Sequence, residues 1–68
     1  MSDDLTNNLK LLIKALEAVA RLGLRYRFTL TDVGRETFLW EASFGSKGSA
    51  RDENPAQAIL LAAAAVED

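Results

Sequence analysis

A glycine-rich segment at residues 45–49 is the first candidate for chemistry, because it reads Gly-Ser-Lys-Gly-Ser. Backbone N–H groups in such loops cradle a phosphate when the loop has P-loop spacing and leads directly into a helix. This segment lacks that spacing, and the next helical pattern starts only at Pro55. The pattern therefore predicts a flexible loop rather than a phosphate site.

Carboxylates are the second candidate, since carboxylate pairs perform acid–base catalysis and clusters of oxygens bind hard cations. Asp52, Glu53 and Asn54 could supply such oxygens, but the same residues are typical of a helix start. The remaining carboxylates considered are scattered: Glu17, Asp32, Glu36 and Glu41. No pair at catalytic separation follows from these positions.

The chain contains no Cys and no His. Their absence removes disulfides, thiolate and imidazole metal ligands, and the commonest general base. No Ser has a base to activate it. We therefore predict that the protein is not an enzyme and has no catalytic residues, cofactor or metal ion.

Basic side chains could form a small patch for an acidic partner or a nucleic acid. The residues concerned are Arg21, Arg25, Arg27 and Lys47. The whole chain carries 8 Lys and Arg against 10 Asp and Glu, a formal charge of -2, which is not the basic footprint of a nucleic-acid binder. Nucleic-acid binding is therefore an alternative and not the expected function.

The first element that positions these residues is an amphipathic helix, predicted over residues 4–21 and ending before Gly23. Its apolar positions step by four, three, four and three residues, through Leu5, Leu9, Leu12, Leu16 and Val19, with Ile13 and Ala20 widening the stripe.

Two strands follow, because apolar and polar residues alternate over residues 24–31 and 37–44. Pairing Thr31 with Thr37 across a turn would place Arg27 opposite Glu41. The inner face then carries Leu24, Tyr26, Phe28, Leu30, Phe38, Trp40, Ala42 and Phe44, and we assign its aromatic residues to the core. Residues 49–51 could add a short third strand at the sheet edge.

The last helix is predicted over residues 55–66, with Asn54 as N-cap and Pro55 at the first helical position. Gln57 stands where a capping box returns a hydrogen bond to the cap. The helix is apolar well beyond the width of one core contact. The surplus residues, Leu60, Leu61, Ala64 and Ala65, are the predicted self-association surface.

Together these elements predict an α+β fold of order α-β-β-(β)-α, with a small antiparallel sheet and two helices packed on one face. Residues 1–68 form one domain. A chain of 68 residues is marginally stable without help. With disulfides and metals removed, oligomerisation is the help that remains.

Residues 55–63 (PAQAILLAA), preceded by a strand carrying Trp40 and Phe44 and by an amphipathic helix, resemble the "phage ABA sandwich" family. Members of that family carry Cys and a basic residue where this chain has Leu60 and Leu61. The resemblance implies a phage or prophage protein with an α/β sandwich and no assigned activity.

Double-stranded-RNA-binding domains share the order α-β-β-β-α and an Ala-rich last helix. In that family Lys residues at the start of the last helix clamp phosphates. Here the same positions carry Asp52 and Glu53, whose charges would repel the RNA backbone. We therefore do not expect RNA binding of that type.

The predicted function is a non-catalytic, phage-type interaction module that forms a homodimer and could inhibit a host enzyme or defence complex, as anti-CRISPR proteins do. The predicted face for a host protein contains Arg25, Arg27, Leu39, Glu41 and Lys47. The alternatives are a small nucleic-acid-binding module and an antitoxin-like protein. No segment is apolar enough to span a bilayer and the start is acidic, so we expect no membrane partner and a cytoplasmic location, in the host cell if phage-borne.

Overall fold

The computed structural model describes residues 2–67, with the side chains of the first helix described from Thr6 onward. The elements are α1 (Ser2–Leu22), β1 (Phe28–Asp32), β2 (Trp40–Phe44), β3 (Gly48–Asp52) and α2 (Pro55–Glu67). The strands form one antiparallel sheet of order β1-β2-β3. The predicted α+β class and element order are thus confirmed, and the third strand is present. The predicted stripe position Leu5 lies outside the described side chains.

Both helices lie on the same side of the sheet, but they are held there differently. α2 packs directly on β2 and β3, whereas α1 packs mainly on α2. The C-terminal ends of the two helices lie close together, since Arg21 and Glu67 form an ion pair there. This exposed pair is of a kind that adds little stability. The main tie between the helices is therefore apolar packing.

The hairpin register differs from the prediction by four residues. Thr31 pairs with Glu41 rather than with Thr37, and Phe28 lies opposite Phe44. Because the shift is an even number of residues, the strands keep the same inner face. It nevertheless removes Leu24 and Phe38 from the sheet, where they are 89% and 78% exposed. The predicted core position of Phe38 and the predicted strand position of Leu24 are therefore wrong.

Local hydrogen bonds explain the shorter strands. The N–H groups of Arg25 and Tyr26 both donate to the Leu22 carbonyl, at 3.0 and 2.9 Å, so the chain turns before β1 begins. At the other end of β1, the Gly34 N–H donates to Asp32 Oδ1 at 3.1 Å. The Val33 N–H donates to the Leu39 carbonyl at 2.9 Å, which closes a loop over residues 33–39. Asp32 thus starts the loop as an Asx turn.

The core lies between α2 and the inner face of β2. Phe44 is completely buried, and its ring lies 5.2 Å from the ring of Phe28, tilted by 41°. Small residues surround this aromatic pair and let α2 approach the sheet closely. The other buried residues are Ala15, Ala18, Leu22, Ala42, Ala56, Ala58, Ile59, Ala62 and Ala63.

The start of α2 is capped as predicted, but one partner differs. The Ala56 N–H donates to Asn54 Oδ1 at 2.9 Å, which confirms Asn54 as the N-cap. The return bond predicted for Gln57 is wrong, because the Asn54 N–H donates instead to Asp52 Oδ1 at 2.9 Å. Asp52 is two residues away, and its short side chain reaches that N–H through a local turn.

Gly48 permits the close packing of β3 on α2. A Cβ atom at this position would lie 2.7 Å from the Ala62 carbonyl oxygen and 2.8 Å from a methyl carbon of Val66. Real Cβ atoms do not approach so closely, and the carbonyl belongs to a helix that cannot yield easily. The helix and the strand therefore meet at a point where only glycine fits.

We expect Gly48→Ala to lower the free energy of unfolding by about 1–3 kcal/mol, because the added methyl group must push α2 away from the sheet. Urea denaturation followed by circular dichroism measures this change. Ser49→Ala is the matched control, since Ser49 is exposed on the outer face of the same strand. An equal loss in both variants would contradict the steric explanation.

Within residues 2–67, none of the helices is both long and apolar enough to cross a membrane.

Candidate functional site

An exposed apolar surface on α1 is the most unusual feature of the fold. The side chains of Leu9, Leu12, Ile13 and Leu16, which we call the α1 face, are each between 45 and 57% exposed. Single exposed aliphatic residues are common, but four on one helix form a continuous patch. Such patches mark interaction surfaces.

The geometry of α1 explains why these large residues remain outside. At 100° per residue, Ala15, Ala18 and Leu22 form a second apolar stripe next to the α1 face. This second stripe is the one that is buried. α1 meets α2 through small alanines, so the two helices approach each other closely. The larger aliphatic side chains of the α1 face remain exposed on the other side of α1.

A groove of about 740 Å³ lies between α1, β1 and the start of α2. We call it the β1 groove. Phe28 and Leu30 line it from the sheet, and Leu12 and Leu16 line it from α1. The rest of its lining comes from Asn8, Val19, Glu53, Asn54, Pro55, Ala56 and Ile59. Since Leu12 and Leu16 belong to both features, the groove and the α1 face form one apolar surface.

The β1 groove exists because the helix layer covers only part of the sheet. α2 lies over β2 and β3, and α1 is held against α2 rather than against β1. On the inner face of β1, Leu30 and Asp32 are consequently exposed, and Phe28 is half-buried. The inner face of β1 is therefore only partly covered in the single chain.

The predicted self-association residues on α2 have different surroundings. Leu60 is half-buried and packs against the core, while Leu61 is 42% exposed. Ala64 and Ala65 are exposed beside it. Most of the apolar circumference of α2 is covered inside the chain, by α1 on one side and by the sheet on the other. What remains is a narrow strip of one leucine and two alanines.

The predicted partner face is spread over distant parts of the sheet. Arg25 and Arg27 precede β1, and Lys47 lies in the turn after β2. This turn lies beside Arg27, because the Gly45 N–H donates to the Arg27 carbonyl at 2.7 Å. Leu39 lies at the opposite end of the hairpin and is half-buried. These residues do not form a single cluster.

The predicted pairing of Arg27 with Glu41 is wrong. Glu41 Oε2 accepts a hydrogen bond from Arg51 Nε at 2.8 Å, across the β2–β3 pair on the outer face of the sheet. The register shift moves Arg27 opposite Gly45 and so out of reach of Glu41. The ion pair that forms is solvent-exposed, and it leaves a polar outer face of the usual kind.

Sequence reasoning identified the α1 stripe but did not identify it as exposed. The signal that was present is the second stripe, Ala15, Ala18 and Leu22, which also has helical spacing. Two adjacent apolar stripes on one helix indicate two packing partners. Within the part of the chain that the structure describes, only the second stripe is covered.

In the part of the chain that the structure describes, no three Asp or Glu residues come together as a metal site would require. No family model, no curated protein and no solved structure matches this chain. The resemblance to the phage ABA sandwich family therefore stays a prediction.

Proposed function

We propose that this protein is a non-catalytic interaction module that self-associates through the α1 face and the β1 groove. The observation that carries this proposal is the continuity of four exposed aliphatic side chains on α1 with an open groove over β1. The α1 face has larger side chains than the exposed strip of α2, so we assign self-association to α1 rather than to Leu61, Ala64 and Ala65.

The composition of this surface supports association with another folded protein. The lining of the β1 groove is mostly apolar, and Asn8, Glu53 and Asn54 are its longer polar side chains. Protein–protein interfaces likewise combine apolar residues with a smaller number of polar groups.

The wider role within this proposal is that of a phage-type protein acting in the cytoplasm on a host enzyme or defence complex. Its support is the sequence resemblance together with the small size of the chain. In a homodimer of the proposed kind the outer face of the sheet, with Arg51 and Glu41, stays open and would be available for such a partner.

Unfolding at different protein concentrations tests the self-association. A dimer that unfolds to separate chains becomes more stable as its concentration rises, whereas a monomer does not. We expect the urea midpoint to rise steadily over a hundredfold range of protein concentration. A midpoint that is constant over that range, starting from micromolar protein, would contradict the proposal.

A further inference from the structure

We infer that two copies of this chain associate by pairing their β1 strands edge to edge, with the two α1 faces closing over the joined strands. This inference deepens the proposed function and rests on it. It names the occupant of the β1 groove as a second copy, and it fixes how that copy is oriented.

The hydrogen-bonding pattern of β1 leaves its outer edge open. The Arg27 carbonyl accepts a hydrogen bond from the Gly45 N–H, and the Val33 N–H donates to the Leu39 carbonyl, so the residues that flank β1 bond to the residues that flank β2. Bonded residues alternate along an antiparallel strand, so Thr29 and Thr31 also bond to β2. The N–H and C=O groups of the other β1 residues, Phe28, Leu30 and Asp32, must then point away from the sheet.

β1 is at the edge of the sheet, and in residues 2–67 no loop or turn hydrogen-bonds to those outward groups. The strand is exposed along most of its length and reads Phe-Thr-Leu-Thr-Asp, with β-branched and aromatic residues that favour strand pairing. Uncovered edges of this kind are templates for pairing with another strand.

Pairing about Leu30 satisfies all of the outward groups at once. In an antiparallel pair with its two-fold axis at Leu30, Leu30 faces its own copy, and Phe28 faces the partner's Asp32. Thr29 then faces the partner's Thr31 on the outer side of the sheet, and Thr–Thr pairs are favourable across strands. The two sheets become one sheet of six strands.

The same two-fold axis brings the apolar surfaces together. α1 runs antiparallel to β1, since a turn of five residues, 23–27, joins the end of α1 to the start of β1 and both elements line the groove. Ile13 and Leu9 lie further around α1 than Leu12 and Leu16, on the side away from α2. Edge pairing therefore sets the two α1 faces against each other above the joined grooves, which supplies the missing cover of β1.

Disulfide trapping tests the strand register. The natural chain has no Cys, so one introduced thiol per chain is the sole reporter. We would mix a Thr29→Cys chain with a mass-tagged Thr31→Cys chain in a glutathione buffer and measure the disulfide dimers by mass spectrometry. Both positions are exposed on the outer face, so neither substitution disturbs the core.

We expect mixed Thr29→Cys/Thr31→Cys dimers in about tenfold excess over dimers of two like chains, because directly opposed residues of this pair are about 4.5 Å apart and like residues are too far apart to bridge. Ser49→Cys, exposed on the opposite edge strand, is the matched control and should trap no more dimer than random collision.

Hydrogen exchange gives an independent measurement on the unmodified protein. At high concentration all β1 amides should exchange slowly. On dilution below the dissociation constant, the amides of Phe28, Leu30 and Asp32 should become fast, while those of Thr29 and Thr31 stay protected by β2.

The outcomes separate the inference from the proposed function. A dimer by light scattering that traps no mixed disulfide above the Ser49→Cys level, and whose exchange pattern does not alternate, would overturn edge pairing and leave self-association through the α1 face intact. A protein that is monomeric at every concentration would overturn both.

Discussion

A chain carrying Leu12→Lys and Leu16→Lys is expected to be a folded monomer at concentrations where the unchanged chain is dimeric. Both leucines are about half exposed in the single chain, so the change removes little packing from the fold. In the dimer the exposed half of each would be buried, so each substitution loses about half of the roughly 1.5–3 kcal/mol that full burial of a leucine provides, and it does so in both chains. The cost of desolvating two ammonium groups adds to this loss. We therefore expect the dissociation constant to rise more than about a hundredfold, measured by sedimentation equilibrium.

Leu24→Lys is the control for the same chemical change. Leu24 is the most exposed of the large aliphatic residues described and lies in the turn after α1, outside the α1 face and the β1 groove. Its substitution should leave the dissociation constant unchanged. If Leu24→Lys weakened the dimer as strongly as the α1 variant, general charge repulsion would explain the effect, and our assignment of the interface would be wrong.

Phe44→Ala is expected to destabilise the fold by about 3–5 kcal/mol. Among the described residues Phe44 is the one large side chain that is completely buried, and it contacts Phe28 across the β1–β2 pair. Its removal leaves a cavity between the sheet and α2 that small alanines cannot fill. A domain of this size has a total stability of the same order, so much of the protein should be unfolded without denaturant. Circular dichroism in a urea titration measures the loss.

Phe38→Ala is the matched control, because Phe38 lies in the loop between β1 and β2 and is almost fully exposed. We expect its unfolding free energy to change by less than about 0.5 kcal/mol. The pair also tests the hairpin register. In the register predicted from alternation Phe38 belongs to the core, so a large loss at Phe38 would favour that register over the one described here.

The elements of this fold could be predicted from local patterns, but their exact pairing could not. Apolar and polar residues alternate from Leu24 to Thr31 and from Thr37 to Phe44, yet the strands cover only residues 28–32 and 40–44. The outer parts are drawn into turns by the Leu22 carbonyl and by Asp32. Every even shift of register preserves the apolar face, so alternation alone cannot choose among these shifts.

The exposure of the α1 face could not be predicted from the sequence for a related reason. Periodicity shows that a helix has an apolar stripe, but it does not say whether the stripe faces its own sheet or a second chain. In α1 the choice depends on Ala15 and Ala18, which dock closely on α2 and turn the leucines outward. α2 shows the opposite case. Its sequence is apolar around most of the helix, but α1 and the sheet cover most of this apolar surface within the chain.

The molar mass of the unmodified protein, measured by light scattering across a dilution series, tests the central claim most directly. We expect twice 7.4 kDa at micromolar concentration and above, falling toward a single chain on dilution. A mass of one chain at every concentration in the series would contradict self-association, and the α1 face would then be exposed surface without a second copy to cover it.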